Sequence, residues 1–166
     1  EDKTLTYSGA ALSLDNNTLT LSGGGRFSNS NALSLNNASS KLLLDSITVD
    51  NVSTSSANSG LDVDDDSTVS NLTVGHTTPV SIASGKTLSG AVTVSGGSLH
   101  LDEAGTLGTT VSMSGGTLDA DESMTVSGAL SQSGSITIDV AEDKTLSYSG
   151  AAISLGANTL TMSGEG

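Results

Sequence analysis

The chain has no cysteine and no tryptophan, and only one proline, one phenylalanine and two tyrosines among 166 residues. The lack of cysteine excludes disulfides and thiolate metal sites. Aromatic residues make up 2% of the chain. A round core with so few large side chains is hard to fill, whereas an elongated one stacked from small aliphatic residues is easier. Basic residues are scarce too: 5 Lys and Arg face 18 Asp and Glu, for a net charge of −13. That argues against nucleic acid and anionic membrane surfaces as partners, since both are gripped by Lys and Arg. No apolar run approaches the roughly 18 residues of a membrane span. Neither an initiator Met nor a signal peptide is recognisable, as expected of an internal window of a longer chain.

What is present is repetition. Residues 1–25 read EDKTLTYSGAALSLDNNTLTLSGGG, and residues 142–166 read EDKTLSYSGAAISLGANTLTMSGEG. Nineteen of these 25 positions are identical, with Glu1 answered by Glu142 and Gly25 by Gly166. Residues 1–166 thus read as one continuous segment, a long unit over 1–141 followed by the start of the next copy at 142–166. Tandem copies of this kind build quasi-one-dimensional arrays.

Inside the long unit lies a shorter one. Thr68-Val69, Thr87-Leu88, Thr106-Leu107 and Thr125-Val126 recur at an even spacing of 19. Earlier cuts fall at Thr4-Leu5, Arg26-Phe27 and Thr48-Val49, and Thr145-Leu146 opens an eighth unit. Segments of 22, 22, 20, 19, 19, 19 and 20 residues make up the long unit. Each holds three apolar clusters that alternate with polar residues, as Val92 and Val94 or Leu99 and Leu101 do, and alternation is the mark of a strand. Gly and small polar residues between clusters, such as Ser95-Gly96-Gly97, supply turns.

Three short strands and three turns in about 20 residues describe one coil of a solenoid. The expected fold is all-β: a right-handed parallel β-helix with three short strands per coil, one in each of three sheets, and about eight coils of 19–22 residues. Right-handedness follows from the near-universal sense of parallel crossovers. A left-handed hexapeptide solenoid would need an apolar anchor at every sixth position, which these spacings do not fit. Eight coils at about 4.8 Å each would rise about 38 Å. Stacking by the short period predicts inward ladders Val92–Val111–Leu130 and Leu99–Leu118–Ile136. Leu88, Val92, Val94, Leu99, Leu101, Leu107, Val111, Met113 and Leu118 should be buried, and Thr93, Thr109 and His100 should not.

Coils reading TLSGAVTVSGGSLHLDEAG and TLGTTVSMSGGTLDADES resemble the β-helical regions of filamentous haemagglutinins, autotransporter passengers and giant repetitive bacterial adhesins. The resemblance covers the whole chain and lies in Ser-Gly corners, Thr-apolar strand starts and the scarcity of aromatics. It implies export to the bacterial cell surface and a role as shaft, stalk or fibre. The partners it implies are further copies of the repeat stacked end to end, then neighbouring fibres or surface glycans. It carries no functional residue across.

The contrasting reading is a β-helix that binds or cleaves carbohydrate. Such enzymes gather Asp with Arg or Lys in a groove, whereas Lys3, Arg26, Lys41, Lys86 and Lys144 lie on distant coils. No catalytic residue or organic cofactor is assigned. One chemical feature recurs: Asp64-Asp65-Asp66, Asp102-Glu103, Asp121-Glu122 and Glu142-Asp143 close their coils at nearly the same phase. Stacked carboxylates repel, and Ca2+ would relieve that with oxygen ligands. Asp102, Glu103, Asp121 and Glu122 are the candidate Ca2+ ligands. His76 and His100 read as exposed, with no second His or Cys in register. Asn-x-Ser/Thr triplets occur at Asn16, Asn37, Asn51 and Asn71, as expected by chance in so Asn- and Ser-rich a chain.

Overall fold

A computed structural model describes residues 3–164; Glu1, Asp2, Glu165 and Gly166, the outer ends of the two copies, lie outside the described residues. Twenty strands and no helix are found among them. The first coil holds β1 (Thr4–Tyr7), β2 (Leu12–Ser13) and β3 (Thr18–Ser22), and the second β4 (Arg26–Asn29), β5 (Leu33–Leu35) and β6 (Lys41–Asp45). Two strands each make the next three coils: β7 (Thr48–Thr54) with β8 (Gly60–Val63), β9 (Ser67–Val74) with β10 (Thr78–Ile82), and β11 (Thr87–Val94) with β12 (Ser98–Leu101). The sixth coil has β13 (Thr106–Leu107), β14 (Thr110–Met113) and β15 (Thr117–Ala120), and the seventh β16 (Met124–Val126), β17 (Leu130–Gln132) and β18 (Ile136–Val140). The last carries β19 (Leu146–Tyr148) and β20 (Leu160–Gly164).

Every strand pairing is parallel and joins one coil to the next. The protein is a β-solenoid of about eight turns. The expected three sheets are two: an 8-stranded sheet runs from β3 to β20, and the other two faces merge into one 12-stranded sheet. The merger happens at β7, β9 and β11, which pass the corner between two faces without leaving the hydrogen-bonded ladder.

Alternation fills the interior. Leu12, Leu33, Val52, Leu72, Val92, Val111 and Leu130 stack in one unbroken row, and from Leu33 onward all are buried. Each such side chain stabilises by roughly 1.5–3 kcal/mol relative to exposure. All nine expected core residues are buried, Thr93 is exposed and His100 is half-buried.

Three expectations need correction. Thr109 is 1% exposed, because it keeps the parity of Leu107 and Val111 and so points inward. Leu118 pairs with Ile138 rather than Ile136; the extra residue of the seventh coil falls in the turn before β18, and a two-residue slip keeps the same face inward. Thr68 pairs with Ser89 rather than Thr87, and Thr125 with Ser147 rather than Thr145, again shifts of two that preserve parity.

The register also changes inside one strand. Gly90 of β11 pairs with Val69 of β9, but Val92 pairs with Leu72, so β9 spends one residue more than β11 between these rungs. Coils two to four carry an Asn at this corner. Asn29 donates to the Asn51 carbonyl at 2.7 Å, and Asn71 donates to the Asn51 side-chain oxygen at 3.1 Å. The fifth coil has no Asn here and makes the step at Gly90, whose φ of +117° is open to glycine but costly for other residues.

Candidate functional site

The outer face of the 8-stranded sheet brings together the one polar constellation, among the described residues, that joins a histidine to carboxylates. In β12 the sequence SLHL points Leu99 and Leu101 inward and His100 outward; in β15 TLDA points Leu118 and Ala120 inward and Asp119 outward. In-register pairing sets His100 beside Asp119, then Asp119 beside Asp139. Asp102 and Asp121 follow their strands at the corner. Their amides donate to the Val80 and Leu101 carbonyls of the preceding coil, which holds the turn in place.

His100 sits among three carboxylates. Its Nδ1 is 3.0 Å from Asp119 Oδ2, and its Nε2 is 2.9 Å from both Asp102 Oδ1 and Asp121 Oδ2. Ligand atoms of His100, Asp119 and Asp121 lie within 4.8 Å of one another. The group is half-buried, with Asp121 the most exposed member. A hollow of about 310 Å³ adjoins it on the same face, between Lys41, Asp62, Pro79 and Asp102.

Partial burial pushes the Asp102 carboxyl above the usual range; the Asp121 and Asp62 charges add to this and His100 opposes it. Asp119 is raised for the same reason, by burial first, then by Asp121, Asp139 and Asp102, against His100. Charge crowding here is unrelieved by Lys or Arg. Four of the five basic residues are paired elsewhere, each one coil away: Arg26 with Asp50, Lys41 with Asp62 at 2.5 Å, Lys86 with Asp65 at 2.7 Å and Lys144 with Glu122 at 2.6 Å. Exposed pairs of this kind contribute about 0–1 kcal/mol each.

The expected Ca2+ corner is therefore divided. Asp102 and Asp121 converge, but on an imidazole. Glu122 is turned to Lys144, and Glu103 is exposed and outside the cluster. Asp65 is tied to Lys86 and Ser46, and Asp66 accepts from the Thr87 amide. Stacking LHLDEAG on LDADESM already aligns His100 with Asp119 and Asp102 with Asp121. The signal is carboxylates, not a second His or Cys, in register with the imidazole.

These shifts give a pH dependence. A carboxyl raised by folding binds its proton more tightly in the folded chain. Its contribution to stability is complete below the unfolded value and is lost as pH rises through the raised one. Asp65, lowered chiefly by its hydrogen bond from Lys86, runs the other way and loses its contribution as pH falls. In EDTA, Asp102→Asn/Asp119→Asn is expected to melt a few degrees above wild type at pH 7 and level with it near pH 3. Thermal circular dichroism at both pH values checks this. A double variant that melts lower at pH 7 would mean that pairing with His100 outweighs desolvation.

Comparison with protein-family models, curated proteins and solved structures found no match to this chain. No helix among the described residues is long and apolar enough to cross a membrane.

Proposed function

We propose that the chain is a structural segment, a shaft, stalk or fibre, of an exported and tandemly repeated bacterial surface protein. The observation that carries this reading is the unbroken parallel stacking of about eight like coils, with residues 142–166 restating residues 1–25. Leu5, Tyr148, Leu155 and Met162 are the exposed large hydrophobic residues among those described, and all four belong to the first or last coil. Coils two to seven bury or half-bury theirs. Leu5 and Leu21 line an open hollow of about 820 Å³ at one end, with Phe27 and Ile47 beneath. At the other end Met162, Tyr148 and Leu146 border a cavity of about 160 Å³.

An end of this kind offers unpaired backbone and inward side chains to another coil. Further coils of the same repeat match it residue for residue, since Leu5, Tyr7 and Leu19 correspond to Leu146, Tyr148 and Leu160 in the next copy. Each coil adds about 4.8 Å of length for about 20 residues, and hydrogen bonds along the axis resist stretching. A surface of Ser, Thr and acidic side chains suits an extracellular setting, and the sequence resemblance points to the bacterial cell surface.

The chain is expected to associate head to tail with rising concentration, and Leu5→Glu or Met162→Glu should hold it monomeric. Sedimentation velocity between about 10 µM and 1 mM tests this, with electron microscopy for rods of constant width. A chain that stays monomeric over that range would show that its ends do not seat further coils, against the shaft reading.

A further inference from the structure

We infer that His100, Asp119 and Asp121 form a binding site for one divalent transition-metal ion of the zinc class, with Asp102 as hydrogen-bond partner of the imidazole.

The imidazole carries the argument. Carboxylates alone at a corner would splay into solvent, and several do so here. His100 instead holds a central place, with an acceptor on each ring nitrogen. Nε2 faces two carboxylate oxygens, one from its own coil and one from the next, each at 2.9 Å. A ring nitrogen carries at most one hydrogen, so one of these carboxylates has no proton to accept. A cation, unlike a proton, bonds to several donors at once. With three carboxylates to one imidazole, the cluster keeps an excess of at least two negative charges even when His100 is protonated. None of the basic side chains with a described partner is paired here.

Ligand type narrows the ion. Ca2+ and Mg2+ are bound through oxygen, whereas imidazole with carboxylate suits Zn2+ and its neighbours. A metal-bound His ordinarily donates its other ring N–H to a carboxylate, which fixes the ring. An ion on Nδ1, beside Asp119, leaves Nε2–H for Asp102 and requires Asp121, which faces Nε2 at 2.9 Å, to turn from that nitrogen to the ion. Solvent on the exposed side of Asp121 completes the coordination. His100 comes from the fifth coil and Asp119 and Asp121 from the sixth, so the ion would fasten two adjacent turns from outside. That role is independent of how the ends associate.

The probe is ZnCl2 added to the purified chain at pH 7.5 in a phosphate-free buffer. Calorimetry is expected to show one equivalent bound, a rise in melting temperature that EDTA reverses, and at least tenfold weaker binding in His100→Ala and Asp119→Asn. Glu103→Gln removes one charge from the same corner and should bind like wild type. CaCl2 in place of ZnCl2 should bind at least tenfold more weakly. The chain has two histidines, so the unmodified protein supplies its own control should a variant fail to fold. In 15N-detected imidazole spectra, one equivalent of Zn2+ should shift the His100 ring and leave exposed His76 unmoved. Four results would each overturn the site: no saturable binding up to 1 mM, equal losses in Glu103→Gln and Asp119→Asn, Ca2+ bound as tightly as Zn2+, or equal shifts at both histidines.

Discussion

Leu61→Asp is expected to abolish cooperative folding of the solenoid. Leu61 is 0% exposed and lies in the third coil, paired with Leu42 on one side and Val80 on the other. A carboxylate there has apolar neighbours above and below and no cation within the interior. Loss of the buried leucine costs roughly 2–5 kcal/mol, and an uncompensated buried charge adds about 3–5 kcal/mol. The sum matches the whole stability of a typical domain, about 5–15 kcal/mol. A solenoid magnifies the effect, because each coil is held only by its two neighbours and a broken third coil removes both contacts at once. Urea melts followed by circular dichroism should show no cooperative transition for Leu61→Asp. Thr93→Asp, on the exposed side of β11, should melt close to wild type. A Leu61→Asp chain that unfolds cooperatively near the wild-type urea midpoint would show that the inward row is misassigned.

The second large effect is expected at Gly90. Its φ of +117° is unfavourable for any side chain, and a Cβ there would lie 1.9 Å from the Val69 carbonyl oxygen. The obstacle is backbone of the neighbouring coil, which cannot swing aside as a flexible side chain does. Strain and clash together should cost Gly90→Ala on the order of 3 kcal/mol. Gly115→Ala is the matched control: nothing lies within 4 Å of its added Cβ. It should change stability by less than about 0.5 kcal/mol, or raise it slightly by restricting the unfolded chain. Equal melting of the two variants would mean that β9 and β11 do not approach this closely.

Gly90 also marks where sequence reasoning stops. From periodicity, Thr87-Leu88 aligns with Thr68-Val69, yet the chain pairs Leu88 with Ser67 and carries the shift through Gly90. Nothing local distinguishes the two alignments, since both bury the same faces. The choice depends on how many residues each corner holds, and the corner is shaped by the coil beneath it. Asn51 and Asn71 make the same point. As single residues they read as chance glycosylation triplets; stacked, they are rungs of an amide ladder. Thr109, in the bend between β13 and β14, turns inward because the alternation of Leu107 and Val111 continues across Gly108, and its hydroxyl has no partner.

The sequence alone determined that this chain is all-β, wound in about eight coils, with alternating residues such as Val92, Val94, Leu99 and Leu101 inside. Those are properties of the two-residue alternation and of the regular return of Thr-apolar pairs, both written along the chain. It also determined that carboxylates would gather at one corner, because Asp102 and Asp121 are one coil apart. Only the tertiary structure decided the rest: that two faces merge through β7, β9 and β11, that Ile138 and not Ile136 continues the row below Leu118, and that His100 stands between Asp102, Asp119 and Asp121 while Glu122 turns to Lys144. The reason is that register and side-chain direction are set between coils, by the length of each turn and by which charge lies above and below. A repeat states that coils stack; the contacts between neighbouring coils decide what meets when they do.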